Sequence, residues 1–288
     1  MMTRPTDLAV ATSVLALRRA VESWRRAGER VALVPTMGAL HAGHLALVEH
    51  GRATADRVVA SVFVNPTQFG ANEDLSRYPR DAAGDKAKLA GAGCDLLFMP
   101  SVAEMYPDGF STRIDPGPLG AVLEGQFRPG HFAGVATVVA KLLLQARPDI
   151  ACFGEKDYQQ LQIIRRIVRD LDIPMAIEGV PIVREPDGLA LSSRNAYLNP
   201  AERRIVPALH RVLREAVSRA AQGEKPGEIA AGASAALLRA GFAKVDYVAL
   251  CAADSLAPLE RLDRNGRILA AAWLGKTRLI DNLPLDPP

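Results

Sequence analysis

The stretch Val31-Ala32-Leu33-Val34-Pro35-Thr36-Met37-Gly38-Ala39-Leu40-His41-Ala42-Gly43-His44-Leu45 decides the fold. The apolar run 31–34 predicts a buried strand, and Pro35 and Gly38 end it. Beyond the turn, Leu45, Leu47 and Val48 begin a helical pattern, so both histidines fall at a strand-to-helix junction. His41 and His44 stand three apart, which puts both imidazoles on one face when the first helical turn covers them. Gly43 removes a side chain between them and lets a ligand lie close to the backbone. A helix N-terminus offers unpaired N–H groups and the positive end of its dipole, which suits a phosphate. Two imidazole donors there would stabilise charge growing on a phosphoryl group. The same pair is also readable as a helix cap or as metal ligands.

Outward from this stretch, strands and helices alternate. Apolar Val14, Leu15, Leu17, Val21 and Trp24 recur at helical spacing between residues 11 and 26. Strands are predicted at 57–64, 96–99 and 149–153, with helices at 81–92 and 132–145, and another marked by Tyr158, Leu161, Ile164 and Ile167. A further strand, 175–183, carries Pro181, which demotes part of it to an edge. That alternation predicts an α/β, Rossmann-like parallel sheet with ligands at the carboxyl ends of its strands, where Thr36, Met37, Asn65 and Gln68 fall. From residue 184 the character changes: helices at 200–221 and 227–240, then strands at 245–250, 267–273 and 277–283. The expected division is a domain over 1–183 and a smaller α+β domain over 184–288.

Composition sets outer bounds. The chain has 288 residues, 49% of them hydrophobic, and a net charge of +3, as a globular protein with a substantial core requires. Arg165, Arg166 and Arg169 read as a solvated helix face, so no nucleic-acid partner is expected. No apolar run reaches about 18 residues, so no membrane partner is expected, and the N-terminus lacks the layout of a secretory signal. Cys94, Cys152 and Cys251 are far apart and odd in number, which predicts buried free thiols in a reducing cytoplasm.

Five more groups carry chemistry. Gly154-Glu155-Lys156-Asp157 sits between a strand and a helix, where backbone N–H groups and the Lys156 charge suit a phosphate; the alternative is an ordinary helix start with acidic residues set by the dipole. Ser192-Ser193-Arg194 offers two hydroxyls and a guanidinium able to grip two phosphate oxygens, or else forms a polar hinge. Gln68 and Gln160 follow strand ends and suit a ligand with both hydroxyl and carboxylate groups, although exposed glutamines are usually just solvated. Arg128 and His131 flank Pro129-Gly130 and fit either a carboxylate site or a loop anchor, while Asp85 is a candidate for holding a divalent cation or a plain surface aspartate. No Ser-His-Asp ordering and no Gly-x-Gly-x-x-Gly fingerprint occurs.

Together, residues 35–44, Phe63-Val-Asn-Pro-Thr-Gln-Phe69, Phe153-Gly-Glu-Lys-Asp-Tyr-Gln-Gln160 and Leu191-Ser-Ser-Arg-Asn195 closely resemble the pantoate–β-alanine ligase (pantothenate synthetase) family of the His-x-Gly-His nucleotidyl-transferase superfamily. The resemblance runs in order from about residue 30 to 200 and continues more loosely to Thr277-Arg-Leu-Ile-Asp-Asn282. It implies a Rossmann-like domain, a smaller domain that closes over the site, and a homodimer in the cytoplasm. It also implies a reaction: with Mg²⁺, ATP and D-pantoate give pantoyl adenylate and pyrophosphate, and β-alanine then gives pantothenate and AMP.

By position, the resemblance assigns the ATP site to Met37, Gly38, Ala39, Leu40, His41, Gly43, His44, Gly154, Glu155, Lys156, Asp157, Val183, Leu191, Ser192, Ser193 and Arg194. His44 is the implied proton donor, with His41, Lys156 and Arg194 against the phosphates. Gln68 and Gln160 are implied to bind pantoate, with Pro35, Thr36, Arg128 and His131 in the substrate region and Asp85 on the metal. Leu191 stands where many relatives have Met, and the acidic run after Tyr78-Pro79-Arg80 is thinned to Asp81 and Asp85. A second member of the superfamily that stops at a nucleotide-linked product is the alternative. A nucleotide-binding regulator or RNA-binding module fits less well, because the arginines are dispersed and aromatics few.

Overall fold

The computed structural model describes residues 8–70, 75 and 78–287. By their internal contacts they form two compact units. The first takes the chain up to Ala121, Arg128–Glu155 and Ile163–Pro181; the second takes Val122–Phe127, Lys156–Gln162 and the chain from Ile182 on. The sequence-based boundary at 183/184 lies two residues from the last of these breaks, but 122–127 and 156–162 had been expected in the first domain.

The first unit is built on β2 (Val31–Thr36), whose first four residues are fully buried because both faces of the strand are covered. It lies inside a six-stranded sheet with β1 (Ala9–Ala11), β3 (Arg57–Val62), β4 (Leu96–Phe98), β5 (Ile150–Gly154) and β6 (Ala176–Val180). The order is β1-β4-β3-β2-β5-β6 and every pairing is parallel. Parallel strands need crossovers, and α1 (Val14–Arg26), α2 (Ala42–Thr54), α3 (Ala82–Gly91) and α6 (His131–Ala146) supply most of them. Val34, Val48, Val58, Leu89, Leu97 and Ile150 form one core cluster of this unit. The chain order reverses on either side of β2, between β3 and β5, which is where open α/β sheets bind ligands.

The second unit carries the antiparallel sheet β7 (Lys244–Ala252), β8 (Gly266–Leu274) and β9 (Thr277–Leu285), in that order. α9 (Ala208–Ala221) and α10 (Pro226–Arg239) bury Leu209, Leu213, Ile229 and Leu237 against Ile268, Ala270 and Leu279 of the sheet. Each such side chain contributes about 1.5–3 kcal/mol on full burial. The segment 122–127 belongs here through charge: Arg278 Nη1 donates to both Glu124 carboxylate oxygens at 2.6 and 2.7 Å, and its Nε donates to Asp246 at 2.7 Å.

Three local differences from the sequence reading have simple causes. β6 stops at Val180, not 183, because Pro181 has no N–H for the ladder. The helix expected over 200–221 is two, Pro200–Ile205 and α9, because Pro207 has no N–H to donate and Val206-Pro207 forms the joint. β1, three residues long, is too short for its alternation to be read.

All three cysteines are free and buried, as expected. Burial pushes the Cys94 and Cys152 thiols up to about 12 and Cys251 to about 11. Thiolate is the reactive form. The native protein should therefore leave all three thiols unmodified by a disulfide-exchange reagent at pH 8, and release three equivalents once unfolded in guanidinium; prompt native reaction would contradict this burial.

Candidate active site

In the first unit, the site is built on the loop that leaves β2. Thr36 Oγ1 donates to the Ser61 carbonyl at 2.7 Å and accepts from Gly38 N–H at 3.2 Å, tying the strand end to β3. Gly38 has φ +85°, and a Cβ there would lie 2.9 Å from an Asp85 oxygen. Asp85 is 1% exposed and accepts the Ala39 and Leu40 N–H groups at 2.9 and 2.8 Å, while Lys88 Nζ donates to the Leu40 carbonyl at 2.8 Å. The loop is thus held from beneath, by a carboxylate and an ammonium on α3.

That loop delivers His41 as the N-cap of α2. His41 Nδ1 accepts from Gly43 N–H at 3.2 Å, and His44 Nδ1 accepts from His41 N–H at 3.3 Å, a reciprocal capping box made by two imidazoles. Their ring centroids are 4.1 Å apart. The capping alternative raised by the sequence is therefore realised. With Nδ1 taken up as an acceptor, the neutral ring carries its proton on Nε2, a donor on the far side of the ring from the helix start. Two such donors at the positive end of a helix suit an anionic ligand.

Gln68 is 8% exposed and held at both ends of its amide. Asn65 Nδ2 donates to Gln68 Oε1 at 3.1 Å, and Gln68 Nε2 donates to Met37 Sδ at 3.1 Å. Its backbone carbonyl lies 2.9 Å from His131 Nδ1, whose Nε2 lies 3.0 Å from Arg128 Nη1. Since a guanidinium only donates, His131 Nε2 accepts, and His131 Nδ1–H donates to the Gln68 carbonyl. Arg128 and His131, predicted as a carboxylate pair or a loop anchor, hold Gln68 in this way.

Asn65 was noted in the sequence only as a polar strand end. It is 1% exposed and is the hub of this corner: its Oδ1 accepts from Tyr106 Oη at 2.8 Å and Thr67 Oγ1 at 3.0 Å, and its Nδ2 also reaches the Gly134 carbonyl at 3.2 Å. The one local signal was an Asn before Pro at a strand end, a common turn opener. Tyr106 had no local signal at all.

The second unit holds Lys156, Asp157, Gln160, Val183 and Leu191 to Arg194, while Gly154 and Glu155 end a stretch of the first. Lys156 lies in the turn Glu155–Asp157 just before α7 (Tyr158–Asp170); its side chain is 18% exposed and its Nζ is 3.8 Å from Asp157 Oδ2. Gln160 is half-buried on the first turn of α7. The Val183 carbonyl accepts from Leu191 N–H at 3.0 Å, closing the hairpin that carries Arg184 and Ala190 as a bridge pair. Ser192 caps the turn Ser193–Tyr197, accepting from Arg194 N–H at 3.3 Å, and Ser193 and Arg194 are half-buried.

Arg184 donates to both Asp281 oxygens at 2.8 Å and to the Gly188 carbonyl at 2.9 Å. Burial raises the Asp281 pKa, but the His210 ring facing it, with Nδ1 3.7 Å away, and the hydrogen-bonded Arg184 guanidinium more than offset it and hold the carboxyl below the usual range.

The described residues contain no group of three or more His, Cys, Asp or Glu arranged to hold a metal ion. Asp85, assigned to a cation by resemblance, has each of its oxygens engaged by a loop N–H. They contain no helix long and apolar enough to cross a membrane either.

Comparison with known proteins agrees along nearly all of the chain. The family model for pantoate-beta-alanine ligase matches residues 9–284. Pantothenate synthetase of Paramagnetospirillum magneticum is 60% identical over 98% of this chain and 99% of its own length. A crystal structure of pantothenate synthetase from Thermus thermophilus superposes with a TM-score of 0.92 at 50% identity, over 97% of this chain and 100% of that one. Pantoate-beta-alanine ligase from Francisella tularensis, crystallised with beta-gamma ATP and beta-alanine, gives a TM-score of 0.81 at 35% identity over 96% of this chain and 97% of that one.

The packing of α6 on the 66–68 turn makes a stability prediction. A Cβ on Gly134 would fall 2.3 Å from the Thr67 carbonyl oxygen, a backbone atom, whereas one on Gly91 would meet nothing within 4 Å. Gly134→Ala should cost about 1–3 kcal/mol in urea unfolding, and Gly91→Ala should be neutral or slightly stabilising. Equal effects would mean that α6 does not press on the turn.

Proposed function

The chain belongs to the pantoate–β-alanine ligase family, and from that premise we propose the part each group of the site plays in its reaction. The enzyme condenses D-pantoate with β-alanine to pantothenate, using ATP. The observation that carries this is the family match from residue 9 to 284, with 60% identity to a relative across 98% of the chain.

A carboxylate is a poor acyl donor at neutral pH. In the proposed route a pantoate carboxylate oxygen attacks the α-phosphorus of ATP, and the bond to the β-phosphate oxygen breaks, releasing pyrophosphate. The β-alanine amine then attacks the acyl carbon, the bond to the AMP oxygen breaks, and the amine loses a proton. Neither step needs a covalent nucleophile from the protein; both need substrates aligned and charge stabilised as it forms.

Loop residues 37–44 would line the nucleotide, the backbone N–H groups at the start of α2 facing anionic oxygens. The Nε2–H groups of His41 and His44 would donate to phosphate oxygens, with His44 meeting the charge that grows in the transition state. Lys156 and Arg194 would add fixed positive charge on the phosphates, with Ser192 and Ser193 as neutral donors and Gly154, Glu155, Asp157, Val183 and Leu191 completing the nucleotide contacts. The amides of Gln68 and Gln160 would take the pantoate hydroxyl and carboxylate, with Gln68 also near β-alanine. Support for Gln68 comes from its fixed amide: Asn65 and Met37 leave it one orientation.

Mg²⁺ would arrive with ATP, held mainly by phosphate oxygens and water, the usual mode for this ion. Asp85 would serve the loop. We also infer a cytoplasmic homodimer: family membership supports the dimer, and three free thiols support the reducing compartment.

The deciding experiment supplies Mg·ATP and D-pantoate and follows pyrophosphate with and without β-alanine. Sustained turnover that needs both acceptors and yields AMP with an amide establishes the ligase; release indifferent to pantoate would transfer the chemistry to another acceptor. Within that assay, His44→Ala should lower the adenylation rate by roughly 10²–10³-fold, with the KM for ATP changed only a few-fold. A wild-type rate would remove His44 from the transition state.

A further inference from the structure

Asp281-Asn282 on β9 closes the loosely matching C-terminal motif, and its side chains take no part in the backbone ladder of the sheet. β9 pairs with β8 through backbone atoms, Asn282 opposite Leu269. The Asn282 side chain is spent elsewhere. Its Oδ1 accepts from Arg267 Nε at 2.7 Å, and its Nδ2 donates to the Lys156 backbone carbonyl at 3.0 Å, across 126 residues of chain.

Asn282 is 2% exposed and Arg267 7%. The Arg267 guanidinium lies over the Tyr158 ring, 4.1 Å from its centroid, and Tyr158 Oη donates to the Ala253 carbonyl at 3.0 Å. Arg267 can only donate, so it fixes which end of the Asn282 amide is oxygen and leaves the NH₂ facing the carbonyl. The turn that bears Lys156 is therefore pinned at two points: its carbonyl by Asn282, and the following Tyr158 by stacking and a hydrogen bond.

We propose that Asn282 is a positioning residue for Lys156, acting on the lysine's backbone so that its ammonium reaches the phosphate from one fixed root. The inference rests on the phosphate role proposed for Lys156. A lysine stem has four rotatable bonds and a hydrated head, so it carries little orientation of its own. What the protein controls most firmly is the position and direction of its Cα–Cβ bond, and a hydrogen bond to that residue's own carbonyl acts there. The neighbouring Asp281 reaches the other predicted nucleotide loop through a side chain: it holds the Arg184 guanidinium, next to Val183, and accepts from Asn282 N–H at 2.7 Å. Two adjacent residues of one strand thus anchor both loops of the second unit that carry predicted nucleotide contacts.

The test is a double-mutant cycle on full-length enzyme, reading single-turnover pyrophosphate release with D-pantoate and Mg·ATP. Losing a buried hydrogen bond and leaving the carbonyl unpaired should slow this step by roughly ten- to a hundredfold in Asn282→Ala. In a Lys156→Ala background the same change should cost less than about threefold, because its effect runs through the lysine. Asn282→Asp keeps the acceptor for Arg267 and sets a carboxylate oxygen in place of the donor to Lys156, so it should fall at least as far as Asn282→Ala. It also serves if Asn282→Ala does not fold. Equal losses in both backgrounds would make the asparagine a general structural residue and overturn the inference. So would an Asn282→Asp enzyme with the wild-type rate beside an impaired Lys156→Ala. A Lys156→Ala enzyme with unimpaired adenylation would overturn the phosphate role of Lys156, and this inference with it.

Discussion

The buried carboxylate of Asp85 is the contact on which the first unit's site depends. A chain leaving a buried parallel strand must turn sharply, and the N–H groups it exposes need partners. Asp85 takes two of them, from Ala39 and Leu40, and Ala39 is itself in the left-handed region with φ 53°. Held there, the loop reaches α2 with His41 outside the helix and His44 within it, which is the condition for the two rings to cap each other. Without that support the unpaired N–H groups would favour another path for the loop, and the imidazoles would lose their common direction. Both oxygens of the Asp85 carboxylate accept from the loop backbone.

Much of this was legible in the chain. Apolar β-branched runs such as 31–34 and 57–62 carry their own signal, and the parallel sheet follows from their alternation with helices. The histidine pair was visible because strand, turn and helix start occur within fifteen residues. What escaped reading are contacts between a side chain and a distant backbone. Asp85 serves a loop 45 residues before it, Asn282 serves a turn 126 residues before it, and Tyr106 serves Asn65 across 41. Such bonds leave no periodicity, and an aspartate that accepts two amides looks in sequence like one on the surface. The resemblance reached Asp281-Asn282 loosely and gave no reason for the pair.

The electrostatics are consistent with the chemistry. The charges that serve structure are paired: Arg184 with Asp281, Arg278 with Glu124 and Asp246. Buried and hydrogen-bonded, such pairs are costly to break from one side, so they fix geometry more than they add stability. The groups proposed for the nucleotide are of another kind: imidazole Nε2 donors, one lysine, one arginine, two hydroxyls and a helix start. Groups of this kind can meet negative charge without forming a bond, which is what phosphoryl chemistry without a protein nucleophile asks of a site.

A common rule then governs both units. The side chains assigned to substrate sit on short loops or the helix starts that follow them, and buried polar residues drawn from other elements hold these segments: Asp85 and Lys88 from α3 through the backbone in the first unit, and in the second Asn282 from β9 through the backbone and Asp281 through the Arg184 side chain. The arrangement separates two requirements. A group that meets a reacting phosphate has to be partly accessible and therefore cannot be locked by packing around its tip. Its root can be locked, because backbone carbonyls and N–H groups are buried where the tip is not. Precision at the root is then set by residues of other elements, whose donor and acceptor pattern is constrained along with that of the groups they hold. Replacing Asp85 or Asn282 with a residue of the same size but the wrong donor pattern would leave the fold's hydrophobic cores unchanged and still misdirect the groups that act.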